Sequence, residues 1–440
     1  MKFKIDKQTL EELQILGKYK EGSQYHMFNR VKTYHGEQLL DEIFRCPLLD
    51  EMAINNRSAT FRYFQDRELE FPYDPSQITR VREYMDSASS DSLLSASAKL
   101  LTKRLMSMLI HDHRYQQVVE GIHATVAVLR QTSDWIASFE NPTAFVQQWK
   151  DRLYLFLQKP KVKEIQVIDI FQSIPLSKLA QLDYCLKTQL REDLEQLFDF
   201  IAWADVAAAV AAVASQHHLN YAEASPAEDN LLECKNLRHP SLKHAVGNDL
   251  KMNLTQHVLF LTGANMAGKS TWMKALGISI YMAHLGFPVA ADSFRFSVKE
   301  GICSSINTAD SIDQGYSHFY AEVMRVKEAA TLVATGLRLF LIFDELFKGT
   351  NVKDAYDGTL AVVQGLADYR QSLMVVSTHI VEVGAVIGNL PGVQCRFMPT
   401  TLENGMPRYT YRLQAGITED RQGMMIIQNE GILDMLENCQ

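Results

Sequence analysis

The chain has 440 residues, 47% of them hydrophobic, which is enough to bury large cores and favours two or three domains. Its 44 Lys and Arg residues and 52 Asp and Glu residues give a formal net charge of −8. This charge argues against a protein whose whole surface attracts nucleic acid, so any nucleic acid would bind in a local basic groove. The six cysteines form no Cys-x-x-Cys pair, and no apolar signal segment or membrane span is evident. The sequence therefore predicts a cytoplasmic protein without zinc sites or disulfides.

The first half of the chain, residues 10–218, has the periodicity of long amphipathic helices. Glycine and proline are sparse there, and apolar residues recur at steps of three and four. One such stripe comprises Leu94, Ala98, Leu101, Leu105 and Met108. We interpret these stripes as parts of the buried core, and we predict no cofactor site in them.

The loop at residues 225–229, Ser-Pro-Ala-Glu-Asp, separates this half from one with an α/β pattern. The predicted fold class is α/β plus all-α, with a helical domain over residues 1–222 and a mainly parallel α/β domain over residues 223–440. Near the end of the chain, residues 393–398 and 409–413 flank an Asn-Gly pair, and this pattern predicts a β-hairpin.

A glycine-rich loop follows an apolar strand in the second half. The loop comprises Gly263, Ala264, Asn265, Met266, Ala267, Gly268, Lys269, Ser270 and Thr271. This spacing is typical of a phosphate-binding loop, in which the two glycines let successive N–H groups point at phosphate oxygens. Lys269 would reach the outer phosphates, Ser270 would offer its hydroxyl to Mg²⁺, and a helix is predicted from Lys269 to about His284. The loop therefore predicts binding of a nucleoside triphosphate.

Two more apolar runs end in polar residues that suit this chemistry. Residues 339–343, Leu-Phe-Leu-Ile-Phe, have the pattern of a strand buried on both faces. Asp344 follows and would hold Mg²⁺, and Glu345 would polarise the water that attacks the γ-phosphate. A third run, Leu-Met-Val-Val, leads into His379. A histidine there is by itself more often a packing residue, but its position after the two phosphate motifs favours a functional role.

The segment between these motifs opens a helix with Gly315-Tyr316-Ser317. A Gly-x-Ser at a helix start is either an ordinary cap or a second phosphate-sensing surface, because it offers a hydroxyl, free N–H groups and a dipole. One chain cannot easily present two such surfaces to one nucleotide. In ABC-type ATPases the second surface comes from a partner subunit, so this interpretation implies a homodimer with two composite sites.

Several stretches match one family. They are Arg238-His239-Pro240-Ser241-Leu242, Asn248-Asp249-Leu250, the loop at 263–271, Gly315-Tyr316-Ser317 with Phe319 and Glu322, Asp344-Glu345 with Lys348-Gly349-Thr350, and Ser377-Thr378-His379. With this set the chain resembles the MutS family of DNA mismatch repair ATPases. Residues 28–50 resemble the start of the family's helical core domain, and residues 416–432 resemble its C-terminal dimerising element. The resemblance implies a helical core (lever) domain followed by an ABC-type P-loop ATPase domain.

The resemblance also implies cofactors and roles. ATP and Mg²⁺ are the implied cofactors, and ATP hydrolysis at a dimer interface is the implied activity. Asn265 would monitor the γ-phosphate, His379 would sense it, and Ser317 would act on the nucleotide of the other subunit. The chain departs from the family at Ala264 and Ala267, where proline and glycine are usual. An aromatic residue that stacks on the base is expected before the loop, and none is evident there.

The sequence begins directly at the core, without the family's mismatch-reading and connector domains. We therefore do not expect mismatch readout by intercalation. DNA would be held through its backbone phosphates by basic residues such as Lys99, Lys103, Arg104, Lys159, Lys161 and Lys163. The same residues also fit a solvated helix face and loop. DNA and other repair proteins are the implied partners, and the alternative is an ATP-switched interaction protein that has lost DNA binding.

Overall fold

The protein forms two compact units, neither of which is continuous in sequence. The computed structural model describes residues 2–110, 112–306, 318–378, 380–403, 406–418 and 435. The α/β unit comprises residues 1–28, 43–58 and 213–440, and the helical unit comprises residues 29–42 and 59–212. Residues 1–28 and 43–58 thus belong to the α/β unit. The domain boundary predicted from the sequence, between residues 222 and 223, assigns them to the helical domain instead. That division remains a prediction.

Helices occur in both units among the described residues. In chain order they are α1 (Lys7–Glu12), α2 (Gln24–Phe28), α3 (Tyr34–Arg45), α4 (Glu51–Asp66), α5 (Pro75–Asp86), α6 (Leu93–Ile110), α7 (Arg114–Ala137), α8 (Ala144–Leu157), α9 (Pro160–Gln166), α10 (Leu176–Tyr184), α11 (Arg191–His217), α12 (Lys269–His284), α13 (His318–Ala334), α14 (Val352–Ala367) and α15 (Val381–Ile387). A π-helical turn, Cys185–Gln189, follows α10, and a 3₁₀ turn covers Ala227–Asp229.

The strands of the described residues all lie after α11. They are β1 (Asn220–Tyr221), β2 (Glu223–Ser225), β3 (Leu232–Leu237), β4 (Asn248–Met252), β5 (Gln256–Gly263), β6 (Pro288–Val289), β7 (Ser293–Ser297), β8 (Gly301–Ser305), β9 (Leu339–Phe343), β10 (Leu373–Ser377), β11 (Gly392–Met398), β12 (Thr400–Glu403), β13 (Met406–Tyr409) and β14 (Gln414–Ala415).

Helix α7 forms the centre of the helical unit's core, with Ile122 fully buried. Helix α5 approaches it so closely that a Cβ at Gly121 would lie 2.4 Å from the Tyr84 side chain. The Tyr84 hydroxyl donates to Asp183 Oδ1 at 2.9 Å, and the buried Lys187 ammonium lies 3.0 Å from the same oxygen. A buried ion pair therefore joins α10 to the π-helical turn that follows it, and the pair needs such hydrogen bonds to offset its desolvation.

Helix α11 is long and apolar enough to cross a membrane by length and composition alone. Within Arg191–Gln216, a stretch of 18 residues has a mean hydropathy of 1.8. Asp199 and Asp205 interrupt the apolar run, and 83% of that stretch is buried inside the protein. Asp205 accepts hydrogen bonds from the backbone N–H groups of Lys32 and Thr33. The helix therefore packs as a core helix of this chain.

The α/β unit is built on a six-stranded sheet with the order β14-β11-β5-β10-β9-β8. Strands β11, β5, β10, β9 and β8 pair in parallel, and the edge strand β14 is antiparallel to β11. Strands β9 and β10 are buried along their whole length, as the apolar runs predicted. Because parallel strands end at one edge of a sheet, the residues after β5, β9 and β10 meet at that edge. A second sheet has the order β2-β7-β3-β4.

The hairpin prediction was wrong in its strands. Residues 393–398 belong to β11, which pairs in parallel with β5, because this run finds a long partner in the central sheet. The hairpin is formed instead by β12 and β13, with Thr400 opposite Tyr409. The Asn404-Gly405 pair lies outside the described residues, as do residues 419–434.

The apolar stripe on α6 was predicted to be core, and it is exposed. The exposed members of the stripe are Leu94, Ala98, Leu101, Leu105 and Met108. The buried residues of α6 are Ala96 and Leu100, on the face that packs against α10 and α7. The prediction failed because periodicity shows which residues share a helix face and does not show which face the protein covers.

Candidate nucleotide-binding site

The predicted phosphate loop is a tight turn between β5 and α12. Strand β5 ends at Gly263, and α12 begins at Lys269, as the sequence predicted. Gly263 and Gly268 have φ angles of 140° and 96°, which L side chains rarely adopt. A Cβ at Gly263 would lie 2.9 Å from the Met398 carbonyl oxygen, and one at Gly268 would lie 2.9 Å from the Tyr411 ring. Backbone conformation and close neighbours both require glycine at these positions.

The ammonium group of Lys269 is held inside this loop. Its Nζ donates to the carbonyl oxygens of Gly263 at 2.8 Å and of Ala264 at 3.1 Å, and the residue is only 5% exposed. Burial lowers the pKa of Lys269, and attraction by Asp344 and Glu345 partly opposes this effect. The geometry fits an anionic ligand, because phosphate oxygens can replace the two carbonyls as acceptors and form charge-assisted hydrogen bonds.

Asp344 follows β9 at the same sheet edge and is fixed by its neighbours. It is buried, its backbone N–H donates to the Ser305 carbonyl at 2.8 Å, and the Ser377 hydroxyl donates to its Oδ1. Ser377 was recognised in the sequence only as part of a motif, and this positioning contact was missed. The residues that end β8 and β10 therefore hold the first carboxylate in one place.

Glu345 differs from Asp344 although it is the next residue. Its φ is 53°, a left-handed conformation that is uncommon for a residue with a side chain. Its backbone N–H donates to the Ser377 carbonyl at 3.0 Å, which holds the turn. The residue is half-buried, and among the described residues nothing hydrogen-bonds to its carboxylate. Glu345 is thus able to act on a ligand or a water.

The donor atoms at this edge fit Mg²⁺. Ser270 lies in the first turn of α12 and is half-buried, and Asp344 adds a carboxylate. Oxygen donors of this kind suit Mg²⁺, which usually keeps several waters and binds together with substrate phosphates. Among the described residues, no group of three or more His, Cys, Asp and Glu side chains could hold a metal ion by itself. The donor set fits a cation that is shared with a bound phosphate.

A cavity of about 460 Å³ opens beside the phosphate loop, within the usual size of small-molecule sites. Gly268 and Thr271 border it on the loop side, and His239, Trp272 and Tyr411 are among its other lining residues. Burial, followed by the nearby Lys274 ammonium, lowers the pKa of His239, so this ring is neutral at pH 7. The cavity offers flat apolar surface directly next to the phosphate site.

Tyr411 is a site residue that sequence reasoning missed. The Asn248 side chain fixes its loop: Nδ2 donates to the Tyr411 carbonyl at 2.9 Å, and Oδ1 accepts from the Leu413 backbone N–H at 2.7 Å. The sequence carried no clear signal for this contact, because Tyr411 follows a hairpin and only the fold brings it to Gly268. Asn248 lies in a stretch that the resemblance included, without an assigned role.

Two of the predicted site residues, Ser317 and His379, lie outside the described residues, so their roles remain predictions. Thr378, which precedes His379, is buried, and its Oγ1 accepts a hydrogen bond from the Ile380 backbone N–H at 3.0 Å. On the loop itself, Ala267 is buried, whereas three other members are exposed. These exposed residues are Asn265, Met266 and Thr271.

Several of the basic residues considered for DNA binding already have partners within the helical unit. Lys99 Nζ donates to the Ser89 carbonyl at 2.9 Å, and Lys159 pairs with Asp193 at 2.7 Å. Such exposed pairs contribute little to stability and can open for another anion. Arg104 is exposed on α6. The helical unit therefore offers individual cations rather than a continuous unpaired basic groove among its described residues.

Comparisons with known proteins agree with this site. The family model for MutS domain V matches residues 259–436. The DNA mismatch repair protein MutS of Halalkalibacterium halodurans is 28% identical over 62% of this chain and 32% of its own length. The protein of the same name from Streptococcus gordonii is 22% identical over 94% of this chain and 59% of its own length. The one from Lactobacillus delbrueckii subsp. bulgaricus is 30% identical over 58% of this chain and 31% of its own length.

These matches reach beyond the phosphate loop. The alignment with the Streptococcus gordonii protein covers nearly all of this chain, and it covers less than two thirds of that relative. The domain V match contains the second part of β5 and all of α12, β9 and β10, and these elements carry the loop and the two carboxylates. Residues 259–436 thus match MutS domain V, and the chain as a whole is similar to DNA mismatch repair proteins named MutS.

Proposed function

We propose that this protein is a Mg²⁺-dependent ATPase that couples ATP binding and hydrolysis to DNA binding in mismatch repair or in recognition of DNA structures. The observation that carries the proposal is the buried Lys269 ammonium inside a glycine loop, next to Asp344 and Glu345. A strand, a loop and a helix N-terminus in this order form a general binding site for phosphate groups. The match to MutS domain V supports the same assignment.

Each residue of the site has a defined task in this proposal. The loop amides and Lys269 bind the outer phosphates, and Ser270 and Asp344 hold Mg²⁺. Bound Mg²⁺ would supply positive charge that neutralises the phosphate oxygens. Glu345 accepts a hydrogen bond from the attacking water and orients it, because no described neighbour hydrogen-bonds to its carboxylate. The Ser377 hydroxyl keeps Asp344 in position through the contact between them.

The cavity beside the loop would hold the nucleoside. Tyr411 and Trp272 offer ring surface there, and purine bases stack on aromatic side chains. The Asn248 bonds to the Tyr411–Leu413 loop keep this wall in place before any ligand binds. Such preorganisation reduces the conformational entropy that is lost on binding.

Assembly and location belong to the same proposal. We expect a cytoplasmic homodimer in which Ser317 of one subunit completes the site of the other, while Asn265 and His379 sense the γ-phosphate. DNA and other repair proteins are the proposed partners, as the names of the relatives suggest. The alternative is an ATP-switched interaction protein without DNA binding. The ion pair of Lys159 with Asp193 favours that alternative, since it reduces the free positive charge.

Nucleotide binding is tested with Lys269→Ala and a matched control, Lys353→Ala, which removes an exposed lysine from the first turn of α14. We expect Lys269→Ala to weaken ATP binding by about ten- to a hundredfold, because a hydrogen bond to a charged group contributes ~1.5–3 kcal/mol. The control should bind like wild type. The measurement is a fluorescent ATP-analogue titration with Mg²⁺. If wild type bound no ATP, the proposed function would fail.

DNA binding is tested with a gel-shift panel of duplex, mismatched and branched DNA, with and without a non-hydrolysable ATP analogue, over a salt series. The proposal expects binding at low salt that depends on nucleotide and weakens as salt rises, because backbone contacts release counterions. Intact ATPase activity without binding to any of these DNAs would reject the DNA-binding function in favour of the alternative.

A further inference from the structure

Helix α6 presents an apolar stripe to solvent within the helical unit. We define the exposed heptad stripe as Leu94, Ala98, Leu101, Leu105 and Met108. The four large side chains are 84%, 47%, 50% and 65% exposed, in chain order. Leu109 and Ile110 extend the apolar surface at the end of the helix, at 76% and 67% exposure. No described residue covers this face.

An ordinary surface helix turns its larger apolar side chains toward the protein, whereas α6 turns them toward solvent. The face toward α10 and α7 consists of Ala96, Leu100, Lys103 and Ser107, of which only the first two are fully buried. The outward face carries the larger and more apolar side chains. Contiguous apolar surface of this kind is uncommon on monomeric soluble proteins and marks interaction sites. The outward face therefore fits a contact with another molecule better than contact with water.

The spacing of the stripe indicates the shape of that molecule. Successive members are separated by four, three, four and three residues, which is the a/d pattern of a coiled coil. Side chains at this spacing form one seam along a helix and fit into holes on a facing helix. A sheet edge or the sugar-phosphate backbone of DNA does not match this seam, so the occupant is a helix.

The charges on α6 indicate which kind of helix would bind to the stripe. Lys99 and Arg104 are exposed on Leu93–Ile110, Lys103 lies on the face toward α10 and α7, and the helix contains no Asp or Glu. A second copy of α6 would bring cations toward cations, which disfavours self-pairing. Acidic residues beside the seam of a partner would be attracted instead.

We propose that the exposed heptad stripe is the docking site for an amphipathic helix of a partner protein, with a leucine-type seam flanked by glutamate or aspartate. This function goes beyond nucleotide binding and does not depend on it. The seam supplies most of the buried apolar area, and Lys99 and Arg104 set the preference for an acidic partner.

The proposal is tested with two labelled synthetic helices of three heptads, with leucine at a and d. One has glutamate and the other lysine at the flanking e and g positions. Fluorescence anisotropy with the full chain, without nucleotide, should show at least tenfold tighter binding of the glutamate peptide. Leu101→Gln combined with Leu105→Gln should weaken that binding at least tenfold. Met106→Gln, an exposed apolar position off the stripe, is the matched control and should bind like wild type.

Other occupants give distinct results. Equal binding of both peptides, or none, would overturn the proposal. If wild type were a dimer in analytical ultracentrifugation and the double variant a monomer, the occupant would be a second copy. If the double variant lost binding to duplex DNA or to vesicles with anionic lipid but kept the glutamate peptide, the surface would serve that ligand instead. Circular dichroism of each variant checks that the helical content is unchanged.

Discussion

Glu345 illustrates how a single backbone angle can separate the roles of two adjacent carboxylates. Asp344 is fixed by Ser377 and Ser305, whereas Glu345 turns into a left-handed conformation and its carboxylate has no hydrogen-bond partner among the described residues. A carboxylate that orients a water must not be occupied by the metal or by a neighbour. The strain of the turn is stored where the proposed chemistry takes place.

Replacing Glu345 with glutamine tests this role. We expect Glu345→Gln to retain ATP binding and to lower the rate of hydrolysis by about 10²–10⁴-fold, because the amide cannot accept the proton of the attacking water. Steady-state hydrolysis and nucleotide titration are the two measurements. Glu382→Gln, an exposed position on α15, is the control. Unchanged turnover in Glu345→Gln would show that another residue orients the water.

Lys299 is a second residue with an unusual environment. It is 2% exposed, and its ammonium donates to Asn230 Oδ1 and, at 3.2 Å, to the Gln371 carbonyl. Burial lowers its pKa from 10.5 to about 7. The unfolded chain keeps this proton up to about pH 10 and the folded chain does not, so this group makes stability rise with pH between 7 and 10.

Lys299→Met should remove that pH dependence. We expect the free energy of unfolding of wild type, relative to the variant, to rise by about 2 kcal/mol from pH 7 to pH 9. Urea denaturation at each pH gives the difference. The comparison must be a difference because burial raises the pKa of Cys234 and of Cys303 to about 12, which lowers stability as pH passes about 9. A constant difference would mean that Lys299 keeps its proton when folded.

At the level of elements, the loop after the β12–β13 hairpin forms a wall of the proposed nucleoside cavity. The Asn248 side chain, on β4, holds this loop in position through one donated and one accepted hydrogen bond. Asn248→Ala removes both bonds and should weaken ATP binding about five- to thirtyfold, because each such bond contributes ~1 kcal/mol. The maximal hydrolysis rate should change little, since the phosphate site is intact. Asn389→Ala, at the end of α15, removes an exposed side-chain bond and serves as the control.

The elements that sequence could predict are those whose pattern is local. Strand β9 and the start of α12 follow from an apolar run and a glycine loop, and the structure has them at the predicted residues. The partner of β11 and the position of Tyr411 depend on contacts between distant parts of the chain, which no local pattern encodes. The sequence correctly predicted that the apolar residues of the stripe share one face of α6. Whether that face is buried depends on which other parts of the protein cover it.

At the level of the whole molecule, the proposed homodimer links two sites. The composite site depends on Ser317, which lies outside the described residues, so it needs a direct test. Ser317→Ala should abolish stimulation of hydrolysis by dimer formation while each subunit still binds ATP. Hydrolysis per subunit, measured from dilute to concentrated protein, should rise with concentration in wild type and stay flat in the variant. Wild-type hydrolysis in a protein that ultracentrifugation shows to be monomeric with ATP would reject the composite site.

The contact between the Lys269 ammonium and the carbonyls of Gly263 and Ala264 has a consequence for ligand selection. A nucleoside monophosphate can fill the cavity while the Lys269 ammonium keeps its hydrogen bonds to the two carbonyls. A compound with two further phosphates can replace both carbonyls and gain full charge compensation. We therefore expect the loop to select ligands by the number of their phosphates, with adenosine and AMP bound weakly and the affinity rising sharply once the chain of phosphates reaches the lysine.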